Sequence, residues 1–309
     1  MERESRGGGR TCGSFRSTWI PRGKAVNAVL ENARMTPPDC PQLPQTTAEH
    51  QISPEAIREE ERFELEIPER GFLAGPRSRL HDLGTIFRVG VDFVRAFRTL
   101  HFVGPAVTIF GSARTQPGTT YYEMARKMGA EIAKLGFTVM TGGGPGIMEA
   151  GNRGAHEAGG RSIGINIELP FEQHLNPYVD RSVTMRYFFT RKTILIKYSY
   201  AFVVLPGGAG TLDEMFETMT LIQTGKIRNF PIILMGKDYW QPLMDFVYHM
   251  AESGTISPGD PELIFFTDDV SDAIAHLQRH AVRQFGLRRQ KLPKPSALFG
   301  EKAVAKPAT

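Results

Sequence analysis

Val203-Val204-Leu205-Pro206-Gly207-Gly208-Ala209-Gly210-Thr211-Leu212-Asp213-Glu214 runs from an apolar strand pattern, through glycines, into a helical pattern. Upstream, Val139-Met140-Thr141-Gly142-Gly143-Gly144-Pro145-Gly146-Ile147-Met148-Glu149 follows the same order. Glycine lets a backbone approach a ligand closely and adopt positive φ. The helix behind it offers unpaired N–H groups and a partial positive charge. Each junction therefore suits a phosphate. Two of them in one sheet point to a phosphorylated ligand, with the acids inside the second helix placed for chemistry.

Outward from these junctions, strand and helix patterns alternate. Strands are expected at Ala106–Phe110 (ending at Gly111-Ser112-Ala113), Phe137–Thr141, Ser162–Leu169, Ala201–Leu205, Pro231–Met235 and Leu263–Phe266. Helices are expected at Thr119–Leu135, Gly146–Ala158, Phe188–Tyr198, Thr211–Gln223, Trp240–Met250 and Val270–Gln284. Ala125, Met128, Ile132 and Leu135 mark the inner face of the first. Repeated βα order with continuously apolar strands predicts an α/β fold, a Rossmann-like doubly wound parallel sheet with helices on both faces. Ligands of such sheets sit at the carboxyl ends of the strands, where both glycine loops and Ser112 fall.

Arg77–Leu100 has helical spacing and is expected to supply one or two amphipathic leading helices. Residues 1–75, rich in Gly, Pro, Arg and Glu, read as a mostly disordered extension with a short helix near Pro54–Phe63. The domain is expected over 76–285, followed by a flexible tail at 286–309. From Ala281 onward seven basic residues face one acid, Glu301; this exceeds the whole-chain charge of +4 and leaves the remainder near neutral. A short basic tail reads as solvated, so no specific nucleic acid is expected. Cys12 and Cys40 both lie near the start, which speaks against a disulfide framework or a cysteine metal site in the core and fits a reducing cytoplasm. Met1–Arg10 lacks the apolar stretch of a secretory signal, and no run is long enough to span a membrane.

Neither loop is a Walker phosphate loop, and neither is Gly-x-Gly-x-x-Gly: the third position falls on Ile147 in one and on Asp213 in the other. Strained turns in a packed core are the bland reading of the loops. Thr211-x-x-Glu214 also fits a capping box, with threonine as N-cap and the glutamate reaching back. Yet Asp213 and Glu214 would repel a phosphate that they faced directly. A carboxylate beside an anion loop is better used on ribose hydroxyls or on a cationic transition state. Arg191-Lys192 reads either as a solvated pair or as basic residues reaching the same strand ends. His276 and His280 are four apart on a late helix, without a third ligand, and no metal site is expected.

The two junctions, with Tyr187-Phe188-Phe189-Thr190-Arg191-Lys192 and Leu221-Ile222-Gln223-Thr224-Gly225-Lys226, resemble the signatures of the LOG (LONELY GUY) family, formerly called lysine decarboxylase-like. The resemblance covers residues 100–285. It implies a homodimer or larger assembly that hydrolyses the N-glycosidic bond of nucleoside 5′-monophosphates, cytokinin riboside monophosphates or AMP, to free base and ribose 5-phosphate. It makes Arg191 and Glu214 the catalytic pair and assigns phosphate binding to Gly207, Gly208, Gly210 and Thr211. Lys192, Gly143, Gly144, Glu149 and Ser112 would complete the substrate site. The long N-terminus and Pro145-Gly146-Ile147 are closer to a longer bacterial branch than to the short plant pattern. No cofactor is expected, since nothing in the sequence points to a lysine that would hold pyridoxal phosphate. A nucleotide-binding sensor without turnover would keep the glycine loops but would not need both Arg191 and Glu214.

Overall fold

Five of the seven strands have at most one residue that is not buried, so the sheet they form is covered on both sides. The computed structural model describes residues 68–73, 75–168 and 174–283. The expected helix near Pro54–Phe63, the end of the third strand at Leu169 and the tail 286–309 lie outside the described residues. The elements are α1 (Pro68–Leu73), α2 (Arg79–Leu100), β1 (Ala106–Phe110), α3 (Thr120–Lys134), β2 (Thr138–Thr141), α4 (Ile147–Glu157), β3 (Ser162–Ile167), β4 (Arg181–Met185), α5 (Phe188–Tyr198), β5 (Ser199–Val204), α6 (Ala209–Gln223), β6 (Ile232–Leu234), α7 (Lys237–Glu252), β7 (Ile264–Phe266) and α8 (Val270–Leu277). A π-helical turn continues α8 over Gln278–Arg283.

The seven strands are ordered β4-β3-β2-β1-β5-β6-β7, and every pair is parallel. The chain winds outward from β1 to β4, then returns to the other side of β1 at β5. That reversal is the switch point at which open α/β sheets bind ligands. Val107, Ile109, Val139, Val203 and Ile233 pack on α3, α4 and α8. Their alternates, including Phe110, Met140, Phe202 and Leu234, pack on α2, α5, α6 and α7. The expected Rossmann-like layers are those observed. Among the described residues no helix is long and apolar enough to cross a membrane.

Three differences from the sequence reading have physical causes. β4 carries no apolar run: it is an edge strand, and only Val183 and Met185 point inward among Arg181, Ser182 and Thr184. α8 ends at Leu277 rather than continuing regularly to Gln284. α6 begins at Ala209 with Gly208 as N-cap, so Thr211 lies inside the first turn and the capping-box reading fails.

Glycines set the distance between α3 and α4. A Cβ at Gly129 would overlap the Gly151 carbonyl, and one at Gly154 would overlap that of Arg126. Backbone atoms cannot move aside as a flexible side chain can. Gly154→Ala is expected to lower unfolding free energy by about 2–3 kcal/mol in chemical denaturation.

The leading helices hold the start of α5. Buried Asp92 of α2 accepts the Arg186 N–H at 3.1 Å and pairs with its guanidinium at 3.1 Å. Glu69 of α1 accepts the Phe188 N–H at 2.8 Å, capping α5 with a carboxylate. The Phe72 ring packs 6.0 Å from Tyr187 and 5.7 Å from Phe189.

Candidate active site

The loops after β1, β2 and β5 meet at the switch point. Ser112 N–H donates to the Pro206 carbonyl at 2.9 Å, and Ile147 N–H donates to the Ser112 carbonyl at 3.0 Å. The Ser112 hydroxyl accepts the Arg114 N–H at 3.1 Å. The first glycine loop is held from below by buried polar side chains. Thr141 Oγ1 donates to Asn152 Oδ1 at 2.6 Å and accepts the Gly143 N–H at 2.9 Å. Asn176 Nδ2 donates to the Gly143 and Gly144 carbonyls at 3.1 and 3.0 Å. Gly143 has φ +78°, a conformation that favours glycine. Glu149 accepts the Tyr122 hydroxyl at 2.8 Å.

The second loop is open above α6. A Cβ at Gly208 or Gly210 would meet nothing within 4 Å, and neither residue has positive φ. Neither packing nor backbone geometry calls for glycine at these two positions. What their missing side chains leave is room above first-turn amides that no helical carbonyl reaches. Gly207 differs: a Cβ there would overlap the Thr211 side chain tucked beneath it. The Tyr239 hydroxyl, from α7, donates to the Gly207 carbonyl at 2.9 Å.

Arg191 of α5 reaches the first loop. Its Nε donates to the Ile165 carbonyl at 2.9 Å, and its Nη2 occupies the place where a Cβ of Gly142 would stand. Burial pushes the guanidinium pKa below its ordinary value, while Glu214 pulls it back up. An arginine stays cationic under such a shift. Glu214 is 3% exposed, and its Oε2 accepts no hydrogen bond among the described residues. Burial raises its carboxyl pKa from 4.5 to about 7, against the pull of Arg191 and Lys192. Lys192 is committed elsewhere, with its Nζ 2.9 Å from Asp213 and 2.8 Å from Glu217.

Two consequences can be measured. Folded protein holds a proton on Glu214 that the unfolded chain releases between pH 4.5 and about 7. Stability from this group therefore falls as pH rises through that window. The thermal midpoint of the wild type is expected to drop more between pH 5 and pH 8 than that of Glu214→Gln. In Gly142→Ala, the atoms nearest the new methyl are Arg191 Nη2 and Met148 Sδ, both on long side chains rather than backbone. The fold is expected to survive while the guanidinium moves. Activity should fall about 10- to 100-fold with little change in Tm.

Residues 148–277 match a family described as "Possible lysine decarboxylase". A cytokinin riboside 5′-monophosphate phosphoribohydrolase of Rhodococcoides fascians is 30% identical over 179 residues, covering 56% of this chain and 89% of that protein. Its counterpart in Mycobacterium tuberculosis is 32% identical over 155 residues, covering 49% of this chain and 82% of that protein. The chain belongs to the LOG family. A solved molybdenum cofactor carrier protein of Chlamydomonas reinhardtii is also similar, at 25% identity and TM-score 0.45, covering 58% of this chain and 99% of that one.

The older decarboxylase label of the LOG family implies pyridoxal phosphate on a lysine. Lys192, the lysine beside Glu214, does not fit that task. Burial opposes its charge, but Glu217 and Asp213 outweigh burial and hold its pKa above the ordinary value. A Schiff-base lysine needs the reverse. Reading the sequence missed Asn152, Asn176 and Tyr239. Asn176 lies far along the chain from the loop it holds, and Tyr239 reaches Gly207 from another helix, so neither has a local signature.

Proposed function

We propose that this protein hydrolyses the N-glycosidic bond of nucleoside 5′-monophosphates, releasing free base and ribose 5-phosphate. Cytokinin riboside monophosphates and AMP are the substrates to test first. The observation that carries the reading is Glu214, a nearly inaccessible carboxylate whose Oε2 has no hydrogen-bond partner among the described residues, on the same helix as open first-turn amides. A buried carboxylate without a partner is costly in a purely structural role. It has a purpose if a substrate supplies the missing partner. Family membership and the names of the relatives support the same class.

The 5′-phosphate sits above Gly208, Ala209 and Gly210, accepting their N–H groups. Thr211 supports the loop from beneath. Cleavage of the C–N bond builds positive charge on the ribose ring, and Glu214 lies along α6 from the phosphate to meet it. In ionised form it stabilises that charge, orients hydroxyls and takes a proton from the attacking water. Arg191 balances the carboxylate and fixes its direction. Lys192, tied to Asp213 and Glu217, holds α5 against α6 and so keeps the catalytic pair in register.

Incubation with a panel of nucleoside 5′-monophosphates, including isopentenyladenosine monophosphate, tests this reading. Release of at least one base is expected, and the rate order identifies the preferred base. Nucleotide binding without release from any of them would refute hydrolysis and leave a sensor.

A further inference from the structure

Two successive carbonyls of the second glycine loop are held from opposite sides. The Pro206 carbonyl accepts the Ser112 N–H, from the loop after β1, at 2.9 Å. The Gly207 carbonyl accepts the Tyr239 hydroxyl at 2.9 Å. Tyr239 stands on α7, which follows β6, and β1 and β6 flank β5 on its two sides. In a planar trans peptide the carbonyl and the next residue's N–H point in opposite directions. Drawing the Gly207 carbonyl toward α7 therefore turns the Gly208 N–H toward β1, into the crevice at the switch point. Gly208 is the N-cap of α6, so its N–H lies outside the helix's own hydrogen bonds. A Cβ on Gly208 would meet nothing within 4 Å. The same helix carries Glu214, whose buried Oε2 has no hydrogen-bond partner among the described residues. The start of α7 is built to keep the hydroxyl in place. Gly236, its N-cap, has φ +103°, and a Cβ there would fall 2.7 Å from Pro206 Cγ, so glycine lets α7 seat against the loop. Asp268 accepts the Gly236 and Lys237 N–H groups at 2.7 and 2.8 Å. The Tyr239 ring packs edge-on to buried Trp240, with centroids 4.6 Å apart.

We propose that Tyr239 is a positioning residue for the substrate's phosphate: by holding the Gly207 carbonyl it aims the Gly208 N–H at the phosphate oxygens. This rests on the reading of the site as one for nucleoside 5′-monophosphates. A tyrosine hydroxyl has one proton to donate, and the Gly207 carbonyl takes it. Tyr239 thus acts through the amide and is not itself a donor to phosphate. The peptide between Gly207 and Gly208 needs such a hold, because glycine on both sides leaves its rotation unhindered by side chains. An amide already aimed has no ordering cost left when the anion arrives.

Tyr239→Phe tests it on the full chain, because phenylalanine keeps a ring against Trp240 and removes only the hydroxyl. Ribose 5-phosphate is the probe for calorimetry, since it carries the phosphate and has no glycosidic bond to break. Its Kd should rise about 10-fold in the variant, with Tm within about 2 °C of wild type. The ratio of kcat/KM for AMP to that for adenosine should also fall about 10-fold. A site merely loosened by the substitution would lose both activities and keep the ratio. In NMR spectra of glycine-labelled protein, ribose 5-phosphate should move the Gly208 amide proton downfield in wild type and less in Tyr239→Phe. An unchanged Kd, an unchanged ratio, or a Gly208 amide that moves equally in both proteins would each overturn the proposal. The last would mean that the hydroxyl meets the phosphate itself. Wild type that does not bind ribose 5-phosphate would overturn it too. Wild type that binds ribose 5-phosphate but releases no base from AMP refutes the hydrolysis alone, and the Kd and amide measurements then decide the role of Tyr239.

Discussion

Glu214→Gln is expected to lower kcat about 10³-fold while leaving the fold and nucleotide binding in place. Glutamine has nearly the same volume and keeps a hydrogen-bonding head group, so the loss reports the missing negative charge. A capping role cannot mimic the effect, because α6 starts at Ala209 and is capped by Gly208. Nor should instability: the native carboxylate is buried with an unpartnered oxygen, and its pKa of about 7 shows that the site disfavours the ion. Removing that ion relieves the site, so Tm at pH 8 should be equal to the wild type or higher. Arg191 loses its counter-charge in the variant but keeps its bond to the Ile165 carbonyl. Steady-state kinetics beside thermal denaturation separate the two effects. A variant with kcat within about threefold of wild type would remove Glu214 from the chemistry.

Removing the 5′-phosphate from the substrate should cost as much. We expect kcat/KM for adenosine to be about 10³-fold below that for AMP. In the proposed site the phosphate meets the open N-terminus of a 15-residue helix, where amide donors and the helix dipole favour an anion. Its charge-assisted hydrogen bonds are strong, and they act at a distance from the bond being broken. Binding energy gained there holds the ribose against Glu214 and appears as rate. Gly208 and Gly210 keep the approach free of side chains. Similar kcat/KM values for the two substrates would mean that this helix end does not hold the phosphate.

The parts of this fold that were legible in the sequence are those written locally. β1 is bounded as its apolar run predicts, because both faces of a central strand must exclude water. α5 likewise spans the residues that its pattern marks. β4 was not legible, since an edge strand buries only half of its residues. Sequence spacing placed the start of α6 two residues late: Ala209 and Gly210 look like turn residues, yet they form the first helical turn. The two glycine loops and the residues Arg191 and Glu214 stood out by composition. What the sequence could not show is how they are used. Gly142 admits the arginine, Gly207 admits Thr211 from beneath, and Gly208 and Gly210 leave space open. These are three different uses of one residue type. The asparagines beneath the first loop and the tyrosine behind the second are related to it only through the folded sheet.

The central claim is that a carbon–nitrogen bond, rather than a phosphate ester, is broken here. Identifying the products formed from AMP by mass spectrometry, with wild type and Glu214→Gln in parallel, tests it most directly. Adenine and ribose 5-phosphate in equal amounts, lost in the variant, is the predicted result. Adenosine with inorganic phosphate, or AMP recovered unchanged from wild type, would contradict it.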